Sequence, residues 1–426
     1  MNERKFTADR ISFPFHHLLF NISSISRVIK KSVANHHLQV AFACNHLAEE
    51  LDWGFERRKK TLIAAMVHDI GMFSQRKKFK LLQSEFQHTR HAEIGARLAA
   101  DLPIDYEIED IIRYHHHPWQ PENDQQEAVR GDIPEEAFLV HFCDRISLLI
   151  KDDQEILSQR EKILKNLEDK TPGIFKPGLV DALAELNEGF WLSLLDNEIL
   201  KRNTKEILSA EDEIMDESDT LRLAKFYSEV IDFRSRFTTT HSLGVARTAE
   251  KLAYLMNFSS RIQRHMLIAG FFHDLGKLAV PPEIINKEDE LTDSEYNLMK
   301  KHVFYSYQAL KTIPSLENIA EWAGFHHETL RGTGYPFGLN GDDLSLPCKI
   351  MSVADIFVAL IEDRPYRSGL EKSKVKKILK EEAQQENIEG RIVNILLENL
   401  TEFAGLIDDL QEDRDTYFEN AIDSVS

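Results

Sequence analysis

The chain has 426 residues, 42 % of them hydrophobic and 29 % charged, with a formal net charge of −19. That is apolar material for the cores of two or three domains, and an acidic surface that repels the backbone of long DNA or RNA while local cations or metals still admit a small anionic ligand. No apolar run approaches the roughly eighteen residues of a membrane span. Cys44, Cys143 and Cys348 lie far apart with no CxxC, so the sequence reads as a cytosolic protein with three reduced thiols, not a disulfide frame.

The start, MNERKFTADRISFPFHH, has no continuous hydrophobic stretch and is not read as a signal peptide. Helical periodicity follows in FERRKKTLIAAMVHD and RHAEIGARLAADL. KRNTKEILSAEDEIMDESD, from Lys201, is polar and acidic without a strong apolar stripe, and predicts a solvated helix joining two halves. TDSE, Thr292 to Glu295, predicts a capping box; Leu298, His302, Tyr305 and Ala309 then fall on one face of the helix it starts. NIEGRIVNILLENLTEF is again periodic, and the acidic tail after Asp408 reads as a solvated end. Strand-like alternation is scarce, so the fold class is all-α.

An internal repeat sets the organisation. HHLQVA at His36 and HSLGVA at His241 are 205 residues apart, as are His68-Asp69 in VHDIG and His273-Asp274 in FHDLG. His91 and His302, His115-His116 and His326-His327, and Asp144 and Asp355 are offset by 211. One net insertion of six residues between Asp274 and His302 accounts for the change (211 − 205). Duplication of a helical unit with merely structural histidines does not explain why polar positions recur where apolar ones vary. Two domains follow, 1–205 and 206–426.

His241, His273, Asp274, His302, His326, His327 and Asp355 are too many donors for one tetrahedral site. They suit two divalent ions with Asp274 as the bridge, and such a pair can hold a hydroxide and clamp a phosphodiester for in-line attack. A lone histidine is more often a satisfied core residue. That reading is applied to His16, His17, His37, His46, His88, His117, His141 and His265, which have no counterpart in the other half.

HDLGK, HHE and GTGYP together resemble the HD-GYP family of the HD superfamily of metal-dependent phosphohydrolases. The likeness covers about 236 to 370, including RPYR (Arg364 to Arg367). The first half resembles a plain HD domain without the GYP loop. The resemblance implies two tandem HD-type helical domains and a phosphodiesterase hydrolysing cyclic di-GMP to pGpG, and on to GMP, through a metal-bridging hydroxide. It implies that His241, His273, Asp274 and Asp355 hold one ion, and Asp274, His302, His326 and His327 the other, with iron or manganese the expected metals. Asp274 and Lys277 would be catalytic, the lysine contacting a non-bridging phosphate oxygen. Lys277, Arg331, Gly334 and Tyr335 would bind substrate, Tyr335 offering a face to a guanine. Three positions depart from the family pattern: Phe237, where a glutamate would serve a third metal, Arg331 in place of an acid, and Val358 in place of an aspartate. Two ions are therefore expected, not three.

In the first half His36, His68, Asp69, His91, His115, His116 and Asp144 match the same pattern, but Met72 stands where Lys277 would be and PWQPEND replaces the GYP loop. This half is expected to bind metal in a regulatory or structural role, or to serve as a degenerate support. Arg331 motivates a second substrate reading, 3′,3′-cyclic GMP–AMP, since an arginine meets a phosphate or purine edge as an acid cannot. A non-catalytic nucleotide receptor is a third reading, and a nucleoside triphosphate phosphohydrolase a fourth. The partner is a cyclic dinucleotide, not long nucleic acid or membrane, with a homodimer or a signalling protein as further partners.

Overall fold

The computed structural model describes residues 10–26, 31–74, 85–104, 106–119, 133–171, 173–210, 212–234, 240–363 and 368–423. Their regular structure is helical, joined by turns and loops, apart from one short antiparallel pairing, Phe13–Pro14 with Ile214–Met215, and an isolated bridge between Arg331 and Asn340. No described helix is long and apolar enough to cross a membrane. The three cysteines are buried and unbridged.

The chain forms two compact units. In the first, residues 26–213, helix Lys31–Glu50 packs on Phe55–Val67 and on Glu135–Leu149, while Glu85–Ala99 packs on Glu109–Tyr114 and on the 3-10 turn Ile70–Ser74. Phe42, Phe142 and Trp191 fill its core. In the second, His241–Leu255 packs on Ser260–Phe272 and on Leu346–Ile361, while Lys301–Lys311 packs on Glu317–Gly324 and on the 3-10 turn Leu275–Ala279. Phe272, Trp322, Phe357 and Phe403 are fully buried there. The same set of pairings thus recurs in both halves.

Glycines permit the closest of these approaches. A Cβ on Gly276 would lie 1.9 Å from the carbonyl oxygen of His302, and one on Gly71 would lie 2.0 Å from that of His91. The last residue of each HDxG run can therefore be only glycine if the turn is to sit on the backbone of the next histidine's helix.

The units divide at 213/214, and residues 10–25 pack with the second unit although they precede the first. Ile11, Phe13, Phe15, Leu18 and Leu19 are at most 4 % exposed, and the Asn21 side-chain amide donates to Ala309 O and Thr312 Oγ1. The polar run from Lys201 is not simply solvated. Helix Asn197–Ala210 buries Leu200, Thr204 and Leu208 and packs on Lys31–Glu50.

The capping box forms: Thr292 Oγ1 accepts from Glu295 N and Glu295 Oε2 accepts from Thr292 N at 2.8 Å. The helix it starts ends at Met299, and a second begins at Lys301. The expected continuous face is therefore broken: His302 and Ala309 are buried, whereas Leu298 is 38 % exposed. RPYR and Phe237 lie outside the described residues, as does most of PWQPEND.

Removing residues 1–25 is expected to lower the unfolding temperature of the second unit, since each buried side chain of this size is worth ~1.5–3 kcal/mol. The first unit's transition should stay in place. Differential scanning calorimetry reads both, and an unchanged transition of the second unit would show that the segment adds no stability.

Candidate metal centres

In the second unit, helix ends deliver most of the donors. His241 opens helix His241–Leu255, His273 caps Ser260–Phe272, and Asp274 leads into the 3-10 turn. His302 lies on Lys301–Lys311, His326 and His327 in the turn after Glu317–Gly324, and Asp355 within Leu346–Ile361. All are buried but His327, which is partly exposed.

The donor atoms converge in two groups, His241 with His273 and Asp274, and His302 with His326 and His327, each within 4.8 Å. Asp274 faces both. Its Oδ2 lies 3.2 Å from His273 Nε2, and its Oδ1 lies 3.3 Å from His302 Nε2. Asp355 Oδ1 is 3.1 Å from His241 Nε2. Neighbouring donors each about 2.1 Å from a shared ion are about 3.0–3.4 Å apart, so these spacings fit.

The tautomers support the same conclusion. Nδ1 of His273, His302 and His326 bonds to the carbonyl three residues back, at 2.6, 2.7 and 2.6 Å. A carbonyl only accepts, so each Nδ1 carries the proton and each Nε2 a bare lone pair. Those three Nε2 atoms are buried without a hydrogen-bond partner. Lone pairs of His273 and His302 thus face carboxylate oxygens, acceptor against acceptor, which a cation between them resolves. The residues present fit a pair of metal ions.

Side chains bring charge to the donors. Lys277 Nζ lies 2.5 Å from Asp274 Oδ2. Burial works to raise the Asp274 pKa, but Coulombic attraction, from His273 when its ring is protonated and then from Lys277, holds it well below the usual carboxylate range. Burial also works against a charged His241, yet Asp355 and Glu362 raise it to about 10. Burial pushes His302 down to about 3.

The first unit repeats this layout. Asp69 Oδ2 lies 3.5 Å from His68 Nε2 and 3.7 Å from His36 Nε2, and its Oδ1 lies 3.4 and 3.8 Å from Nε2 of His91 and His115. His116 Nε2 is 3.1 Å from His91 Nε2, and Asp144 Oδ1 is 3.2 Å from His36 Nε2. His68 and His115 bond through Nδ1 to Ala65 O and Ile112 O. Met72, half-buried, brings no charge to Asp69.

Several residues beside these centres escaped the repeat. Glu362 is 1 % exposed, lies 3.4 Å from His241 Nδ1, and accepts from Thr240 Oγ1 at 2.5 Å. In the first unit Ser147 Oγ is 3.0 Å from His36 Nδ1 and donates to Gln39 Oε1 at 2.6 Å. The repeat aligns Ser147 with Val358 and Glu362 with Lys151, so neither orienting group has a counterpart to reveal it. His37 and His141, set aside as core residues, instead stand next to the first cluster, their rings 5.4 Å from His68 and 5.8 Å from His116. Of the others set aside, His265 Nε2 is 3.1 Å from Glu217 Oε2 and His46 Nδ1 bonds to Phe42 O.

The GYP loop is tied to the HHE run. Glu328, 2 % exposed, accepts from Phe337 N through Oε1 at 2.7 Å and from Leu339 N through Oε2 at 3.0 Å. A Cβ on Gly334 would lie 2.5 Å from Glu328 Cα and from His327 O. Tyr335 N donates to His327 O, and its ring lies 4.9 Å from the His327 imidazole. Arg331 is exposed, and Val358 is core, against Gly244.

HD-domain family models match residues 33–149 and 206–392. The chain is 28 % identical over 381 residues to 3′3′-cGAMP-specific phosphodiesterase 1 of Vibrio cholerae, covering 87 % of this chain and 88 % of that one. It is 35 % identical over 136 residues to a cyclic di-GMP phosphodiesterase of Pseudomonas aeruginosa, covering 31 % and 32 %. In fold it matches the crystal structure of a cyclic GMP-AMP-specific phosphodiesterase of V. cholerae, with a TM-score of 0.61 at 20 % identity over 92 % of this chain and 98 % of that one. With an HD domain matched in each half, the chain belongs to the HD superfamily and carries two HD domains in tandem.

Proposed function

We propose that the chain is a metal-dependent cyclic-dinucleotide phosphodiesterase, located in the cytoplasm, and that the second unit performs the hydrolysis. The observation that carries this is Asp274, one oxygen turned to each of two groups of imidazole lone pairs, with Lys277 beside it. Five histidines and two aspartates suit two ions of iron or manganese. Such ions, when bound, supply Lewis acidity toward phosphoryl oxygens and a water of lowered pKa. Lys277 is positioned to meet a non-bridging phosphate oxygen and stabilise charge that grows there. Gly334 lets the loop backbone lie against the His327–Thr329 backbone, and Tyr335 presents a ring next to His327 for a base.

Two substrates are supported. The motifs of the second unit support cyclic di-GMP, cleaved to pGpG and on to GMP, as does the likeness to the P. aeruginosa enzyme over 136 residues. The likeness to the cGAMP-specific enzyme takes in the first unit as well, and supports 3′,3′-cyclic GMP–AMP. Arg331, solvent-exposed on the loop, is the residue assigned to the choice. The first unit holds ions of its own in a regulatory or structural role and does not hydrolyse the dinucleotide, since Met72 replaces the lysine.

Steady-state kinetics on both dinucleotides, with metals assayed in the same sample, test the reading. The loaded protein should convert at least one of them, and Lys277→Met should lower kcat by about 10²–10³-fold with metal content kept. No product from either dinucleotide overturns the phosphodiesterase reading and leaves a receptor.

Metal content should fall in both His68→Ala and His273→Ala, with hydrolysis lost only in the latter. Full metal content in His68→Ala would show that the first site holds none. Glu328→Ala leaves two backbone N–H groups without their acceptor, at about 1–3 kcal/mol each. It should raise KM more than it lowers kcat; unchanged KM would show that the loop holds its place without the clamp.

A further inference from the structure

We propose that Tyr296 is a specificity-determining residue that stacks on a purine of the dinucleotide, completing an aromatic corner with Tyr335. The inference rests on the phosphodiesterase reading above and names a contact within it.

Tyr296 lies on helix Asp293–Met299, which buries none of its residues. The ring is 46 % exposed, although it stands beside a candidate active site. The helix is held by polar contacts: the Thr292–Glu295 capping box and an ion pair between Lys287 Nζ and Glu295 Oε2 at 2.5 Å. Core packing therefore does not account for an aromatic residue at 296.

Three rings lead outward from the second donor group. His327 and Tyr335 have centroids 4.9 Å apart at 34°, and Tyr335 and Tyr296 are 6.3 Å apart at 80°. Rings near a right angle form an inside corner. A flat base laid on the face of one presents its edge to the face of the other, and both arrangements are favourable for aromatic pairs. Lys300 Nζ lies 5.0 Å over the Tyr296 ring, which orients the ring and adds positive charge on the path of an anionic ligand.

The repeat provides a separate observation. The six residues by which the second half exceeds the first fall between Asp274 and His302, the interval that contains Tyr296. The aromatic corner therefore belongs to the half that also has Lys277 and the GYP loop, and its Tyr335 side has no counterpart in the first.

The test compares Tyr296→Ala and Tyr296→Phe on cyclic di-GMP, on 3′,3′-cyclic GMP–AMP and on bis(p-nitrophenyl) phosphate, a phosphodiester with no purine. Loss of one stacked base is worth about tenfold or more. Tyr296→Ala should lower kcat/KM for the preferred dinucleotide by that factor relative to bis(p-nitrophenyl) phosphate, chiefly through KM, and Tyr296→Phe should restore it. An unmoved ratio overturns the proposal. So does a Phe variant as poor as Ala, which would assign the effect to the hydroxyl. Calorimetric titration of each dinucleotide into wild type and Tyr296→Ala decides the matter separately from turnover. If the wild type binds without hydrolysing, the enzyme reading fails while a weaker Ala complex still supports the stacking; equal affinity, or no binding to either protein, overturns it.

Discussion

A carboxylate placed between two sets of imidazoles, buried at Asp274 and half-buried at Asp69, is the constraint around which each unit is built. An uncompensated carboxylate in a core is costly, and acceptors facing it add to that cost. Asp274 and Asp69 are nonetheless held there, because the fold fixes the imidazoles first. Each of His273, His302 and His326 gives its Nδ1 proton to the carbonyl three residues back, so Nε2 turns inward without a proton. That bond costs the fold little, since carbonyls at helix ends lack intrahelical partners. Helix ends therefore supply both the histidines and the groups that set their tautomers. The close approach at Gly276 and Gly71 then sets the HD turn against the helix carrying the third histidine.

The two units share this scaffold and differ in the groups around it. In the second, Glu362 stands by His241 Nδ1 and Lys277 by Asp274, so charged partners flank the donors. In the first, Ser147 and Gln39 form a neutral hydrogen-bonded chain beside His36, and Met72 is apolar. A carboxylate behind a ligand histidine raises its basicity more than a hydroxyl does. The same donor pattern therefore sits in two different electrostatic settings, and among the described residues Asp274 has a lysine beside it where Asp69 has Met72. The donors repeat between the halves, while the groups around them differ.

Much of this was legible in the sequence, and the reason is physical. Donor residues recur at fixed offsets because helix packing fixes their spacing, so a histidine at 68 and another at 273 mark the same helix end. Orienting groups are under looser constraint. A serine one turn after Asp144 and a glutamate two turns after Asp355 reach the same imidazole nitrogen from different positions, so no repeat links them. His37 and His141 have no counterparts, since the second unit has Ser242 and Ser352 at those positions, yet both lie next to the first cluster. The break at Lys300 was hidden because the apolar spacing runs across it. The placement of residues 10–25 was also hidden, since a few buried residues and a two-residue strand carry no signal of which core they cover.

The loop after the paired histidines shows how one acidic residue can link chemistry to recognition. Glu328 follows the two candidate ligands His326 and His327. Its oxygens accept from Phe337 N and Leu339 N, so the carboxylate is turned to the loop backbone. Because Gly334 lies on the backbone of that same glutamate, any shift of the ligand turn carries the Tyr335 ring with it. The distance from the donors to the Tyr335 ring is thereby set through packed backbone and the two hydrogen bonds of Glu328. If the ring receives a base as proposed, rigidity of this kind would serve discrimination between purines, which depends on where the second base falls once the phosphate is held.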